Sequence, residues 1–305
     1  MRFNPWKLDY IGLKKYSYGI SLALVLVSVL SVAIFGFNYG IDFSSGTSVD
    51  VALSRPVDKA AVERFLDDGR SEWGEYVLTP GNERLSIRFK EVLNAEQQTS
   101  FRAAFQSGLD ADASFEMNVV GVDIAREQQE KAMWGVLFAS IGILIYVAIR
   151  FEWRFGLAAI IALLHDAIIV MGAFSLFRLE VNMPFIVAVL TVIGYSINDT
   201  VVIFDRIREN LRFAKIKTHA DLANVVNASV RQTLTRSINT VVAVLIGAVL
   251  LFALASPSIR LFSLAIIIGL VAGTYSSIFV ASPLWFELRK RMKAKKPAKA
   301  AATAS

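Results

Sequence analysis

Residues 193–210 read IGYSINDTVVIFDRIREN, an apolar run that holds one carboxylate, Asp199, and then breaks into charge at Asp205, Arg206, Arg208 and Glu209. Extended back to residue 184, the run is long enough to cross a bilayer, which takes about 20 residues of helix. The charges that follow mark where the chain leaves hydrocarbon. This segment reads as a membrane span with an ionisable group inside it, and the rest of the chain sorts around it.

Five further runs of suitable length lie at 18–37, 132–149, 156–177, 238–255 and 259–285. Six spans in 305 residues account for a composition that is 55% hydrophobic and 19% charged, too apolar for an ordinary soluble domain. The first run is longer than the apolar core of a secretory leader and lacks a convincing small-residue cleavage site, so it is expected to remain as a helix. With no cysteine, disulfides and thiolate metal sites are excluded, and only His165 and His219 remain as imidazole ligands. No Walker loop, GxGxxG, HExxH or GxSxG occurs, so neither enzymatic chemistry nor a cofactor is expected.

Charge orders these spans across the membrane. Arg2, Lys7, Lys14 and Lys15 precede the first, Arg150 and Arg154 join the second to the third, and Arg206, Arg208, Arg212, Lys215, Lys217, Arg231 and Arg236 join the fourth to the fifth. The opposite short connections carry only Arg178 and Arg260. Basic residues concentrate on the cytoplasmic side of membrane proteins, so both termini are expected there and the long segment after the first span outside. That segment is also acidic, with 9 Lys/Arg against 17 Asp/Glu over residues 38–130. The basic residues lie beside apolar spans, which makes anionic membrane lipids rather than nucleic acid the expected partners.

The external segment, 38–131, has an alternating strand pattern at 48–53, a helical pattern at 57–69, two strand patterns around Pro80-Gly81-Asn82, a second helical pattern at 95–107 and a closing strand. The order βαββαβ suggests a ferredoxin-like fold. The expected architecture is therefore a multi-pass α-helical membrane protein, six transmembrane helices with an external α+β ferredoxin-like domain. A cytoplasmic N-terminus (1–17), a five-helix bundle (132–285) containing a cytoplasmic loop (205–237), and a basic, disordered tail (286–305) complete it. Within the loop, Asp205 to Arg212 read as a solvated helix along the membrane surface, and Leu222, Val225, Val226, Ser229 and Thr233 as a second amphipathic helix leading to Arg236.

An ionisable group at mid-helix costs at least about 2.5–3.5 kcal/mol to insert, so Asp199 and Asp166 stand out. Asp199 reads either as a proton or ion relay or as a structural hydrogen-bonding group, with Asn198 and Thr200 holding it or bonding across helices. Asp166 follows His165; the pair reads equally as a second relay station or as polar glue within the bundle. Metal binding is not expected, because neighbouring residues on a helix project to different faces. Arg236 either snorkels outward or reaches inward toward a carboxylate. Gly269 and Gly273 form a GxxxG whose sufficient explanation is close helix packing.

Several stretches resemble the SecD/SecF family of the resistance-nodulation-division superfamily: residues 193–210, HDAIIV (165–170), TLTRSINT (233–240), residues 259–284 and NYGIDFSSGT (38–47). The family pattern FSGGT is altered here, Ser45 standing where the first Gly is usual. The resemblance implies an auxiliary subunit of the Sec machinery in the bacterial cytoplasmic membrane, partnered with SecD and the SecYEG channel. It would act on a translocating unfolded polypeptide at a late stage of export, driven by the proton or sodium gradient. It also implies Asp199 as the protonatable carboxylate and Arg236 as its basic counterpart. The competing readings are a small-molecule or lipid exporter subunit of the same superfamily, against which the single six-span unit and small external domain argue, and a receptor or scaffold, which would not need Asp199.

Overall fold

In the computed structural model, which describes residues 8–79 and 84–293, a small α/β domain sits on one end of a six-helix bundle. The domain's strands are β2 (Gly46–Ala52), β3 (Tyr76–Thr79), β4 (Arg84–Phe89) and β5 (Ser114–Val120), hydrogen-bonded in the order β3-β4-β2-β5 with every pair antiparallel. Its helices α3 (Lys59–Asp68) and α5 (Ala95–Gly108) supply Val62, Leu66, Phe101 and Phe105 to a core closed by Val49, Val51, Leu85, Ile87 and Phe89. The period of two in the strands puts these residues on one face, and a slip of one residue would turn them all to water. The other face carries Ser48, Asp50, Ser86 and Arg88. The short α4 (Arg70–Trp73) adds Trp73, whose ring lies 5.0 Å from that of Phe101. The Pro80-Gly81-Asn82 turn signal lies outside the described residues.

The spans are α1 (Lys14–Phe35), α6 (Val122–Arg150), α7 (Trp153–Leu176), α8 (Met183–Phe213), α9 (His219–Leu254), and a sixth made of α10 (Pro257–Ser276), a π turn (Ser277–Ala281) and α11 (Ser282–Lys293). Within their most apolar windows only 6% of α6 and 11% of α9 is buried, against 50% of α7 and 61% of the sixth span, which places α7 and α10 at the centre. The chain is a multi-pass membrane protein. On α1 the buried side is the serine side: Ser17 donates to the Phe279 carbonyl at 3.0 Å, Ser21 to Tyr275 at 3.1 Å and Ser31 to Ser175 at 3.2 Å. Leucines are as well solvated by lipid as by protein, whereas hydroxyls need partners, so the polar stripe turns inward.

Two boundaries differ from the sequence reading. The stretch 205–237 is helical except at 214–218, because Phe204 and Ile207 of α8 and Leu222, Val226, Val230 and Leu234 of α9 share a core with Tyr10, Phe155 and Trp285. The helices that cross the membrane simply continue as a hairpin beyond it, and no separate surface helix forms. Thr218 opens α9 with a capping box, its hydroxyl accepting from Asp221 N while Asp221 accepts from Thr218 N. The segment from 286 is helical through Lys293, anchored by buried Phe286 and by the Lys14–Glu287 ion pair; residues 294–305 lie outside the described residues.

The domain is joined to the bundle by contacts with no local sequence signal. A parallel pair, β1 (Asn38–Tyr39) with β6 (Glu180–Val181), links the exits of α1 and α7. Arg88 reaches from β4 to the Tyr39 carbonyl at 2.7 Å, the Asn38 side chain at 2.8 Å and Glu180 at 3.5 Å. Burial pushes the Glu180 carboxyl up, Arg88 draws it down, and Asp42 and Asp50 push it up further. Asp42, in the short helix α2 (Ile41–Ser44), accepts from the Met183 amide at 2.8 Å and so caps α8.

Between α2 and β2 the backbone reverses at Ser45 and Gly46. Ser45 has φ 61 and ψ 169, a region open essentially to glycine alone, and Gly46 has φ 126 with a carbonyl of Phe89 only 2.3 Å from where a Cβ would stand. The residue that departs from the family pattern thus carries strain of about 1–3 kcal/mol. Ser45→Gly is expected to raise the thermal unfolding midpoint of the purified chain in detergent, by the equivalent of about 1 kcal/mol after the added unfolded-state entropy of glycine. An unchanged or lower midpoint would show that the serine is unstrained there.

Candidate functional site

The centre of the bundle is built on polar side chains that hydrocarbon forces to find one another. Asp166, midway along α7, is 0% exposed. Its Oδ2 accepts from Ser196 of α8 at 2.5 Å and from Ser276 of α10 at 2.8 Å, and its Oδ1 lies 2.9 Å from His165 Nδ1. One carboxylate therefore ties three helices. The expectation that His165 and Asp166 diverge fails here: the two positions are about 100° apart around the helix, but both are buried and their side chains turn together. The His165 ring stacks on Tyr275 at 6.1 Å, and the Tyr275 hydroxyl donates to the Ser17 carbonyl at 2.9 Å, extending the network to α1.

Asp199 lies one turn along α8 from Ser196, in a different setting. It is 6% exposed and borders a cavity of about 280 Å³ between α8, α9 and α10, with Tyr195, Ser196, Asn198, Thr240, Gly273 and Thr274 among its walls. Ser196 is shared: it lines the cavity and donates to Asp166. From α9, the buried Ser237 hydroxyl faces the Asp199 carboxylate without closing a hydrogen bond, and Arg236 acts on it through charge with no closed ion pair among the described residues. Arg236 itself is exposed.

Of the two alternatives for the neighbours of Asp199, holding it or bonding across helices, Thr200 takes the second. Thr200 is buried and hydrogen-bonds Ser277 at 2.9 Å, across to the π turn, while Asn198 lines the cavity beside the carboxylate. Thr200 is β-branched, and its hydroxyl is carried to the α10 side by the 100° step from Asp199. At the change of helical pitch the Ser277 and Ser282 hydroxyls donate to the carbonyls of Gly273 and Ser277. The roles of Ser196, Tyr275 and Ser276 have no local sequence signal, because a hydroxyl in an apolar span reveals nothing until its partner is known.

Gly269 and Gly273 face α8. A Cβ on Gly269 would stand 2.2 Å from Val192 Cγ2, and one on Gly273 3.1 Å from Ser196 Cβ and 3.5 Å from Asp166 Oδ2. These glycines set the approach that lets Ser196 and Ser276 reach one carboxylate.

Residues 101–291 match the family described as protein export membrane protein SecD/SecF, C-terminal, and residues 30–57 match the SecD/SecF GG motif. The protein translocase subunit SecF of Alicyclobacillus acidocaldarius is 44% identical over 289 residues, which cover 93% of this chain and 94% of that one. The chain belongs to the SecD/SecF family, on its SecF side. The SecF of Rickettsia felis is 38% identical, with 93% of each chain covered. The crystal structure of SecDF from Thermus thermophilus, a translocon-associated membrane protein, superposes with a TM-score of 0.83 at 36% identity over 93% of this chain. A SecDF structure in a super-membrane-facing form gives 0.65 at 34% identity over 97%. The chain spans 39% and 40% of those two SecDF chains.

If the Gly269 approach is what aligns this network, Gly269→Ala should destabilise the detergent-solubilised protein by about 1–3 kcal/mol. Gly194→Ala, where a Cβ would meet nothing within 4 Å, should leave the thermal midpoint unchanged or slightly raised. Equal effects of the two substitutions would reject the packing role.

Proposed function

We propose that this chain is the SecF-type subunit of a Sec translocase in the bacterial cytoplasmic membrane, using the proton or sodium gradient to assist late-stage export. In this reading it works with SecD and the SecYEG channel on a translocating unfolded polypeptide, has no enzymatic step of its own and uses no cofactor. The observation that carries it is the contrast between two intramembrane carboxylates: Asp166 is sealed by hydrogen bonds, whereas Asp199 opens onto a cavity with Arg236 near by.

A carboxylate at a cavity wall can exchange a proton or hold a cation, and a positive charge within reach gives its two charge states different preferred helix arrangements. Ser196, with one side to the cavity and its hydroxyl on Asp166, offers a route by which a change at Asp199 alters the hub. One charge crossing 100 mV is worth about 2.3 kcal/mol, enough to shift a two-state element roughly fiftyfold at about 1.4 kcal/mol per decade. The element proposed to move is the contact between the bundle and the external domain.

In cells depleted of the native subunit, Asp199→Asn is expected to reach normal membrane levels yet leave export of a secreted reporter near the depleted level, with Arg236→Ala partly impaired. Export like wild type from Asp199→Asn would make the residue structural and end the coupling mechanism. Orientation is checked separately, since the chain has no cysteine. An impermeant maleimide should label Ser114→Cys in intact spheroplasts and Lys215→Cys only after lysis; the reverse pattern would invert the topology.

A further inference from the structure

Between the open face of the domain's sheet and the helix connections beneath it lies a cavity of about 270 Å³ lined by four arginines, Arg84 and Arg88 from β4, Arg178 from the α7–α8 connection and Arg260 from the first turns of α10. Glu180 is the carboxylate in that lining. The external segment as a whole is acidic, so this face inverts its sign. Arg178 and Arg260 are also the two basic residues that the domain-side connections retain.

The four are not equally engaged. Arg88 is spent on Tyr39, Asn38 and Glu180, and Arg178, at φ 54, donates to the carbonyls of Phe35 and Gly36 at the end of α1. Arg260 has a buried Nε with no hydrogen-bond partner among the described residues, and Arg84, which feels the charge of Asp50 and shares a second cavity with Asp50 and Glu116, closes no ion pair among the described residues. A buried guanidinium donor left unpaired is destabilising, and an anion in the cavity would supply its partner. Planar guanidinium groups match the oxygens of a phosphate.

The same lining holds Phe177, which is 68% exposed, and Leu261, at the membrane ends of α7 and α10. A ligand that satisfies both parts is anionic above and hydrocarbon below. We propose that this cleft binds the phosphate of an anionic phospholipid from the domain-side leaflet, with Arg84 and Arg260 as its direct partners and Phe177 and Leu261 along its acyl chains. The bound headgroup bridges β4 and α10, so the lipid becomes part of the joint between the domain and the bundle.

The test is native mass spectrometry of the purified full chain titrated with phosphatidylglycerol or with phosphatidylcholine, whose phosphate is paired with its own ammonium. Wild type should bind one phosphatidylglycerol in preference, and Arg84→Ala/Arg260→Ala should weaken that binding tenfold or more, at about tenfold for a charged hydrogen bond lost. Arg64→Ala/Arg102→Ala, which removes the same charge from exposed positions on α3 and α5, should bind like wild type. Equal affinity for the two lipids, or equal weakening by both double variants, would overturn the site. Displacement of the lipid by millimolar inorganic phosphate would overturn the lipid assignment in favour of a soluble anion.

Discussion

A carboxylate with no contact with water, placed in a membrane span, constrains every helix that comes near it. Asp166 is accommodated because hydroxyls from α8 and α10 donate to it beside the neighbouring imidazole, and those hydroxyls arrive only if the three helices approach closely. Close approach in turn requires the absence of side chains at Gly269 and Gly273. The serine stripe of α1, the Tyr275 hydroxyl and the π turn at Ser277–Ala281 extend the same logic outward, each polar group meeting another because lipid offers it nothing.

Against this closed hub, the opening at Asp199 gains its meaning. The two carboxylates share Ser196 as a neighbour and differ in access, one sealed and one at a cavity wall. In the proposed function, a hub satisfied by close helix packing sits next to a group whose charge can change, and a change at the cavity wall would act on the hub through Ser196. The joint between domain and bundle combines the Arg88–Glu180 pair and the β1–β6 ladder with small apolar contacts, Phe43 of α2 in the bundle core and Ile41 with Val120 and Ala125.

Strain is also placed at the joint. Ser45 and Arg178 are the described non-glycine residues with positive φ, and they lie at the entry to the domain's first strand and at the exit of α7. Both positions turn the chain at the membrane boundary, where the rigid helices must hand over to the domain within a few residues.

The six spans, the acidic character of the segment between the first two, and the βαββαβ order were all legible in the sequence, because hydropathy, charge and strand or helix periodicity are local properties. So were Asp199 and Asp166, since a charge in an apolar run stands out without any partner being known. The sequence did not reveal that Thr200 turns to Ser277, that His165 meets Asp166, or that helices α8 and α9 run on as a hairpin through residues whose charge suggested loop. Nor could it show that four arginines distant in sequence converge on one cleft. Those outcomes depend on which faces meet across helices and strands far apart in the chain, and only the tertiary structure decides that, because a hydroxyl or guanidinium has no fixed role until packing selects its partner.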